Sequence, residues 1–210
     1  MSADPKIFRT WVEGWAISRG TPPPVPVAHG FRVDVGLPAH RVRYVFPSLG
    51  PEIIRDLATS IEPPAAFIKV CCESEMMAPL LPANWRLETP GYMMTQSLRT
   101  DAPVSVPTGY DLVVERRGAV IVAELRDHRG DIAASGRVVL NGTSGIFDRI
   151  ATHVDHRRRG LGTVVMRALG GEAIKEAIKS AILVATPDGR ALYASLGWRL
   201  HSPYATAAIT

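Results

Sequence analysis

The 210-residue sequence has almost no cysteine, and this scarcity excludes several classes of protein. The two cysteines, Cys71 and Cys72, are adjacent, so they cannot form a framework of crosslinks and lack the spacing of a structural zinc site. The sequence also lacks an apolar run of the roughly 20 residues that cross a bilayer, and its first residues contain no apolar signal core. We therefore expect a cytoplasmic protein with no metal site and no membrane partner.

A strong excess of charge of one sign is also missing. Lys and Arg total 24 against 20 for Asp and Glu, which gives a formal net charge of +4. A dedicated nucleic-acid binder usually gathers a larger excess on one face, so we expect no nucleic-acid partner. Hydrophobic residues make up 46% of the chain and charged residues 21%, which are ordinary values for a globular protein and argue against disorder.

The first part of the sequence, residues 1–100, alternates between helical and strand patterns. Asp4 and Pro5 predict the start of a helix, Gly20 predicts its end, and Trp11 and Trp15 fall on its apolar face. The later elements of this part are predicted as strands at 31–35, 41–46 and 66–70, one strand or a pair of strands at 85–94, and helices at 51–61 and 73–81. Turn and breaker residues at 101–107 indicate an interdomain connector.

The second part, residues 108–210, is predicted to begin with antiparallel strands and to continue as an α/β unit. The predicted elements are strands at 119–126, 132–140 and 145–152, a helix at 161–179, a buried strand at 181–185, a short helix at 188–196, and strands at 198–200 and 204–209. These patterns together predict a mixed α/β (α+β) fold.

The strongest chemical signal is a basic loop, Arg157–Thr163, between a predicted strand and a predicted helix. The first amides of a helix have no partner within the helix and attract phosphate, and Gly160 and Gly162 allow close approach of an anion to the backbone. Val165 stands where a dinucleotide-binding fold would require glycine, and no P-loop sequence occurs. The loop therefore indicates a phosphate-bearing ligand, or alternatively an exposed turn with solvated arginines.

From about Tyr110 onward the chain resembles the GNAT superfamily of acetyl-CoA-dependent N-acyltransferases. The loop matches the family's Arg/Gln-x-x-Gly-x-Gly/Ala signature at Arg157, Gly160 and Gly162, and the segment 192–198 is similar to its Leu-Tyr-x-x-x-Gly-Phe/Trp signature. The resemblance covers about half of the chain. It implies a mostly antiparallel twisted sheet flanked by helices, with 108–210 as the acetyl-CoA-binding catalytic domain and 1–100 as a smaller α/β half-domain.

The resemblance also implies which residues bind coenzyme A, the co-substrate. Loop amides from Arg158 to Thr163 would bind the pyrophosphate, and the preceding strand end would pair with the pantetheine arm. The resulting cofactor-binding set is Ile150, Ala151, Thr152, Arg157, Arg158, Arg159, Gly160, Leu161, Gly162 and Thr163. No metal is implied.

Tyr193 of the second signature would act as the general acid that protonates the leaving thiolate. The general base is less clearly indicated. Asp148 shares a strand face with Ile150 and Thr152 and is our candidate, but Glu124 and His153 are rivals. A structural ion pair of Asp148 with Arg149 or Arg137 is an equal alternative. The chain departs from the family pattern at Val154, Thr186 and Gly189, where proline, asparagine and alanine are usual.

An internal similarity relates the two parts of the chain. A shift of 113 positions aligns Trp85-Arg86-Leu87 with Trp198-Arg199-Leu200, and the preceding order of strand, short helix and strand agrees. We interpret the N-terminal half as a degenerate GNAT-like copy, with chance similarity as the alternative. Leu80 then corresponds to Tyr193, so this half would lack the acid and would instead form the wall of the acceptor site, to which Trp11 and Trp15 could contribute.

These observations predict an acetyl-CoA-dependent N-acetyltransferase. The acetyl group would pass to a primary amine, of a small molecule or a peptide, by direct attack in a ternary complex. One alternative is a non-catalytic acyl-CoA-binding regulatory module, and another is a nucleic-acid-associated protein that uses Arg157–Arg159. Either a monomer or a homodimer is compatible with the sequence.

Overall fold

A computed structural model of the protein describes residues 3–99 and 104–209, and twelve of its strands form a single sheet. The helices are α1 (Pro5–Arg19), α2 (Pro51–Ser60), α3 (Ser74–Met77), α4 (Leu161–Lys175) and α5 (Pro187–Ser195), with 3-10 turns at Ala78–Leu80 and Val154–His156. The strands are β1 (Val25–Val27), β2 (Gly30–Leu37), β3 (His40–Phe46), β4 (Ala66–Val70), β5 (Trp85–Leu87), β6 (Gly91–Ser97), β7 (Tyr110–Arg117), β8 (Val120–Asp127), β9 (Ile132–Asn141), β10 (Ser144–Thr152), β11 (Ser180–Ala185) and β12 (Arg199–Ile209).

The order of strands across the sheet is β1-β2-β3-β4-β12-β6-β11-β10-β9-β8-β7, and β5 pairs with β12. Among the described strands, only β3–β4 and β10–β11 pair in parallel, and a helix connects the strands of each pair, α2 in the first and α4 in the second. Parallel neighbours need such a crossover, whereas antiparallel neighbours can be joined by a short turn. The predicted mixed, mostly antiparallel sheet is therefore confirmed.

Helix α1 begins and ends where the sequence predicts. The Asp4 carboxylate accepts hydrogen bonds from the amides of Lys6 and Ile7, and Gly20 ends the helix in the left-handed conformation with φ of 64°. Trp11 and Trp15 are almost completely buried in the layer between α1 and the sheet. Neighbouring residues of one strand, such as Ile146 and Phe147, belong to different core clusters, so α1 covers one face of the sheet while α2 and α4 cover the other.

Strands from the two parts of the chain are interleaved in the sheet. β6 lies between β11 and β12, and β12 in turn lies between β6 and β4. Each parallel pair is thus extended by a strand from the other part of the chain. The division into domains at 1–100 and 108–210 stays a prediction, as does the duplication, and any boundary between them must be reconciled with this shared sheet.

Several element predictions differ from the structure. β7 was not predicted, α4 ends at Lys175 rather than at 179, and β12 is one strand with a register shift between Leu200 and Ser202 rather than two. The helix predicted at 73–81 is a short helix followed by a 3-10 turn, and a short strand follows the prolines after Gly20. The segment 85–94, predicted as one strand or a pair, contains two strands, β5 and the start of β6. Part of the connector, 101–103, lies outside the described residues. No described helix has both the length and the apolarity that a bilayer span requires.

Candidate active site

The loop before α4 presents a row of main-chain amides. Gly160 is the N-cap of α4 with φ of 76°, and Arg158 also has a positive φ, of 62°. These left-handed residues turn the chain so that the amides of Arg158–Gly162 donate no hydrogen bond to another described residue. A Cβ added at Gly160 would meet nothing within 4 Å, so the backbone is open there. Unpaired amides at a helix N-terminus form a site for an anion.

One amide of the predicted phosphate-binding set has a partner within the protein. The Thr163 amide donates to the Gly160 carbonyl at 3.0 Å and closes the first turn of α4. The available amides are therefore those of Arg158–Gly162, one residue fewer than the range that the sequence predicted.

The three arginines of the loop have different surroundings. Arg159 donates to the Tyr110 hydroxyl at 2.9 Å and to the Asp155 carbonyl, while Arg157 is 3.5 Å from the Thr152 carbonyl. Arg158 is exposed, and its side chain forms no hydrogen bond with another described residue. Arg159 thus holds the loop to β7, and Arg158 is the side chain that is available to an incoming anion.

Strands β10 and β11 separate beside this loop. They pair in parallel only from Ser144 to Ile146, against Ser180–Ile182. A β-bulge follows between Asp148 and Ala151, where Arg149 has φ of 53°. Beyond it, β10 pairs only with β9, so the edge of Ile150–Thr152 that faces β11 has no strand partner among the described residues. An extended ligand can pair with such an edge as an added strand would.

Tyr193 lies on α5 and is buried in the core cluster that packs under α4, with its ring centre 6.1 Å from that of Trp198. The Thr186 hydroxyl caps α5 by accepting from the Gly189 amide at 3.1 Å, which is the capping role that asparagine can also fill. A Cβ at Gly189 would lie 3.0 Å from the Tyr193 ring, so glycine lets the ring pack against the helix. Burial raises the pKa of Tyr193 to about 12, and the negative charge of Asp148 adds to the increase.

Asp148 is bound by residues of α1. Its carboxylate accepts from Arg19 Nε at 2.7 Å, Arg19 Nη2 at 2.8 Å and Ser18 Oγ at 2.7 Å. Burial alone would raise the pKa of Asp148, but the Arg19 and Ser18 hydrogen bonds outweigh it and lower the pKa below its usual value. The structural partner of Asp148 is therefore Arg19, and neither Arg149 nor Arg137; Arg137 donates to the Ser18 carbonyl instead.

A cleft of about 210 Å³ opens between the C-terminal end of α1 and the sheet. Asp148 lines it on the β10 side, and Ala185 and Thr186 line it where β11 ends. Glu124 and His153, the rival bases, are not among its lining residues: Glu124 pairs with Arg126, and His153 lies 3.6 Å from Asp155. The cleft thus connects the opening between β10 and β11 with the N-terminal part of the chain, whose α1 contributes Trp11 and Trp15.

Besides Arg19, two further basic residues that were not selected from the sequence line the cleft. They are Arg43 on β3 and Lys69 on β4. Lys69 interrupts an apolar segment, Ala66–Val70, that was predicted as a buried strand, and a lysine in such a strand was the available signal.

The comparisons with known proteins agree with this geometry. Residues 116–200 match the family model of the acetyltransferase (GNAT) domain. Among solved structures, a GCN5-related N-acetyltransferase from Kribbella flavida is 13% identical, with a TM-score of 0.64 over 94% of this chain and 93% of that one. A GCN5-related N-acetyltransferase-like protein from Streptococcus suis is 12% identical, with a TM-score of 0.61 over 87% and 84%.

A third solved structure is similar over a smaller share of the chain. A tandem GNAT protein from the clavulanic acid biosynthesis pathway is 16% identical, with a TM-score of 0.55 over 73% of this chain and 66% of that one. No curated protein matches the sequence. Residues 116–200, about two fifths of the chain, therefore match the model of the GNAT acetyltransferase domain, and these solved structures share the fold of the chain.

Proposed function

We propose that the protein is an acetyl-CoA-dependent N-acetyltransferase that transfers an acetyl group to a primary amine by direct attack in a ternary complex. The observation that carries the proposal is the row of amides at Arg158–Gly162, beside the open edge of β10. The amides and the Arg158 side chain would bind the diphosphate of acetyl-CoA, and the edge of Ile150–Thr152 would pair with its pantetheine arm.

The chemistry needs a neutral amine, stabilisation of the oxyanion and a proton for the leaving thiolate. When the amine attacks the thioester carbon, a main-chain amide of Ile150–Thr152 would donate to the oxyanion. As the carbon–sulfur bond breaks, Tyr193 would give its proton to the sulfur. The raised pKa of about 12 keeps the Tyr193 hydroxyl protonated at neutral pH, although it makes the group a weaker acid than a free tyrosine.

Asp148 is the carboxylate that lines the described part of the cleft, and we propose it as the group that receives the proton of the amine. Its ion pair with Arg19 lowers its pKa, so it would act as a weak base and attract the ammonium form of the acceptor by charge. The same ion pair attaches the end of α1 to β10 and therefore also shapes the cleft.

Titration with acetyl-CoA by calorimetry, followed by an amine panel with detection of released thiol, tests this proposal. Binding at 100 times the dissociation constant should stabilise the protein by about 2.7 kcal/mol in a thermal-shift experiment. Absence of binding would remove the proposal. Binding without thiol release across the panel would instead support the non-catalytic acyl-CoA-binding module.

A further inference from the structure

The end of the cleft formed by β3 and β4 contains two cationic side chains without an ion-paired carboxylate. Lys69 and Arg43 both line the cleft, and neither forms an ion pair with a carboxylate among the described residues. The charge of Asp148 also acts on Arg43, but the Asp148 carboxylate is already bound to Arg19. Buried charges are usually paired because removing them from water is costly, so two unpaired cations at one end of a cleft are unusual.

Lys69 is held by weak polar contacts. Its Nζ donates to Thr206 Oγ1 at 2.9 Å and lies 5.8 Å from the centre of the Tyr204 ring. Burial lowers the pKa of Lys69 to about 7, and the positive charge of Arg43 lowers it further, while Glu88 and its negative charge act in the opposite direction. A negative charge beside Nζ would favour the charged form of the lysine.

Arg43 is fixed in position by its neighbours. Its guanidinium lies 4.1 Å from the centre of the Trp15 ring, and its Nε donates to His40 Nε2 at 2.6 Å. Burial and the nearby cations lower the pKa of His40 to about 3, so His40 is neutral and accepts this bond. The ring of Trp15 and the imidazole together restrict the guanidinium, so a ligand that binds it meets a preorganised group.

Tyr204 supplies an independent observation at the same place. It lines the cleft, and its hydroxyl is buried without a hydrogen-bond partner among the described residues. A buried polar group of this kind costs about 1–3 kcal/mol when it is left unpaired. The Tyr204 hydroxyl can donate to an oxygen, as Lys69 and Arg43 can, so three donors and two positive charges meet at this end of the cleft.

Taking the proposed function as its basis, we propose that the acceptor is a small amine that carries a carboxylate, which Lys69 and Arg43 bind while the amine is held near Asp148. The cleft volume of about 210 Å³ favours a small acceptor, because sites for drug-sized ligands usually measure about 300–1,000 Å³. A carboxylate has two oxygens to share among the donors, and it complements both cations.

The sheet sets the distance between the two ends of the acceptor. Asp148 lies on β10, and Thr206, which accepts from Lys69, lies on β12, three strands away across β11 and β6. Neighbouring strands are about 4.8 Å apart, so the protein groups that bind the amine and the carboxylate are separated by roughly 14 Å, which includes a hydrogen bond at each end. An ω-amino acid, or an amino acid with a side-chain amine, has a suitable length, whereas the two groups of glycine are too close together.

The test compares 6-aminohexanoate with its amide at saturating acetyl-CoA. We expect kcat/KM for the acid to exceed that for the amide by at least tenfold. Lys69→Met should lower kcat/KM for the acid by about 10–100-fold, mainly through KM, and leave the amide unchanged. This variant removes a buried charge and adds no polar group, so it should fold. The control variant Arg55→Met removes an exposed charge on α2, on the other face of the sheet. It should leave kcat/KM unchanged for both the acid and the amide.

A second readout follows binding without turnover. Because Trp11 and Trp15 line the cleft, 6-aminohexanoate should change the tryptophan fluorescence of the wild-type protein, and the affinity should fall in Lys69→Met. Equal rates for acid and amide, or an unchanged Lys69→Met, would overturn the inference while leaving acetyl transfer intact. A preference for phosphoethanolamine over every amino acid would contradict the inference that the acceptor carries a carboxylate. Failure to bind acetyl-CoA would instead contradict the proposed function.

Discussion

Tyr193 could be selected from a sequence motif, but its surroundings are known only from the structure. The signature placed it on a short helix, and the structure shows that burial raises its pKa to about 12. We predict that Tyr193→Phe lowers kcat by about 100-fold, the low end for general acid catalysis, because an acid this weak transfers its proton less readily. The Kd for acetyl-CoA should stay within about twofold.

The matched control for this variant is Tyr44→Phe, which changes a tyrosine on the α2 side of the sheet. Steady-state kinetics and calorimetry on both variants separate chemistry from binding. An unchanged kcat in Tyr193→Phe, or a parallel loss in Tyr44→Phe, would remove the acid role.

The ion pair of Asp148 with Arg19 makes stability depend on pH. The folded-state pKa of Asp148 is below that of the unfolded chain, so the stabilisation is complete above about pH 4 and disappears as pH falls through the folded pKa. We predict that Asp148→Asn costs about 1–3 kcal/mol in urea unfolding at pH 7, and that the difference from wild type narrows as the pH falls below about 4. A difference that is independent of pH would contradict this account.

Arg19→Met separates the two roles of Asp148. It breaks the same ion pair but keeps the carboxylate in the cleft. If Asp148 receives the proton of the amine, Arg19→Met should retain most of kcat and Asp148→Asn should lose it. Equal losses in the two variants would assign Asp148 to the structural role alone.

Candidate binding residues were easier to predict from the sequence at the loop than at the cleft. Arg157, Gly160 and Gly162 form a local pattern with a direct physical meaning. Lys69 and Arg43 lie on separate strands, and nothing in the spacing of the sequence indicates that they line one cleft. Asp148 was selected by alternation along its strand, but its partner Arg19 is more than a hundred residues away.

At the scale of elements, the start of α4 depends on the left-handed conformation of Gly160. We predict that Gly160→Ala destabilises the protein by about 1 kcal/mol, because a Cβ is unfavourable at positive φ, and raises the Kd for acetyl-CoA more than tenfold. Gly142→Ala is the matched control: Gly142 has φ of 60° in the β9–β10 turn and equally open surroundings.

Urea unfolding and calorimetry with acetyl-CoA measure both quantities. Gly142→Ala should show a similar loss of stability and an unchanged Kd. If Gly160→Ala binds acetyl-CoA as tightly as the control, the loop is not where the diphosphate binds.

Elements with a buried face were predicted well, and exposed or irregular ones were not. α1 has both of its caps and an apolar stripe in the sequence. β7 is an edge strand that is exposed apart from Tyr110 and Leu112, so most of its residues lack the alternation that marks a half-buried strand. The segment after Lys175 continues to look helical, but Ala177 adopts a φ of 58° and ends the pattern.

At the scale of the whole molecule, the interleaved sheet makes the two parts of the chain depend on each other. Because β6 lies between β11 and β12, neither part retains its strand neighbours when the other unfolds. We predict a single cooperative urea transition. Its midpoint should be the same in a variant whose only tryptophan is Trp85 and in one whose only tryptophan is Trp198, although these two residues report on different core clusters. Two separate midpoints would show that the parts fold as independent domains.

The sequence could not predict this interleaving because the pairing of β6 with β11 joins residues about ninety positions apart. Such pairings leave no local pattern, and only the similarity at an offset of 113 hinted that the two parts share a plan. The fold class and the loop could be predicted from the sequence because a motif and helix caps depend on residues that are close together along the chain. The cleft could be anticipated only in outline, through the apolar face of α1.

The most direct test of the account is the backbone amide NMR spectrum of the ¹⁵N-labelled protein during titration with acetyl-CoA. We predict the largest shifts at the amides of Arg158–Gly162, a smaller one at Thr163, whose amide already donates to Gly160, and no such shifts with acetyl-pantetheine, which lacks the diphosphate. Saturation with acetyl-CoA that leaves the Arg158–Gly162 amides unperturbed would contradict the central claim.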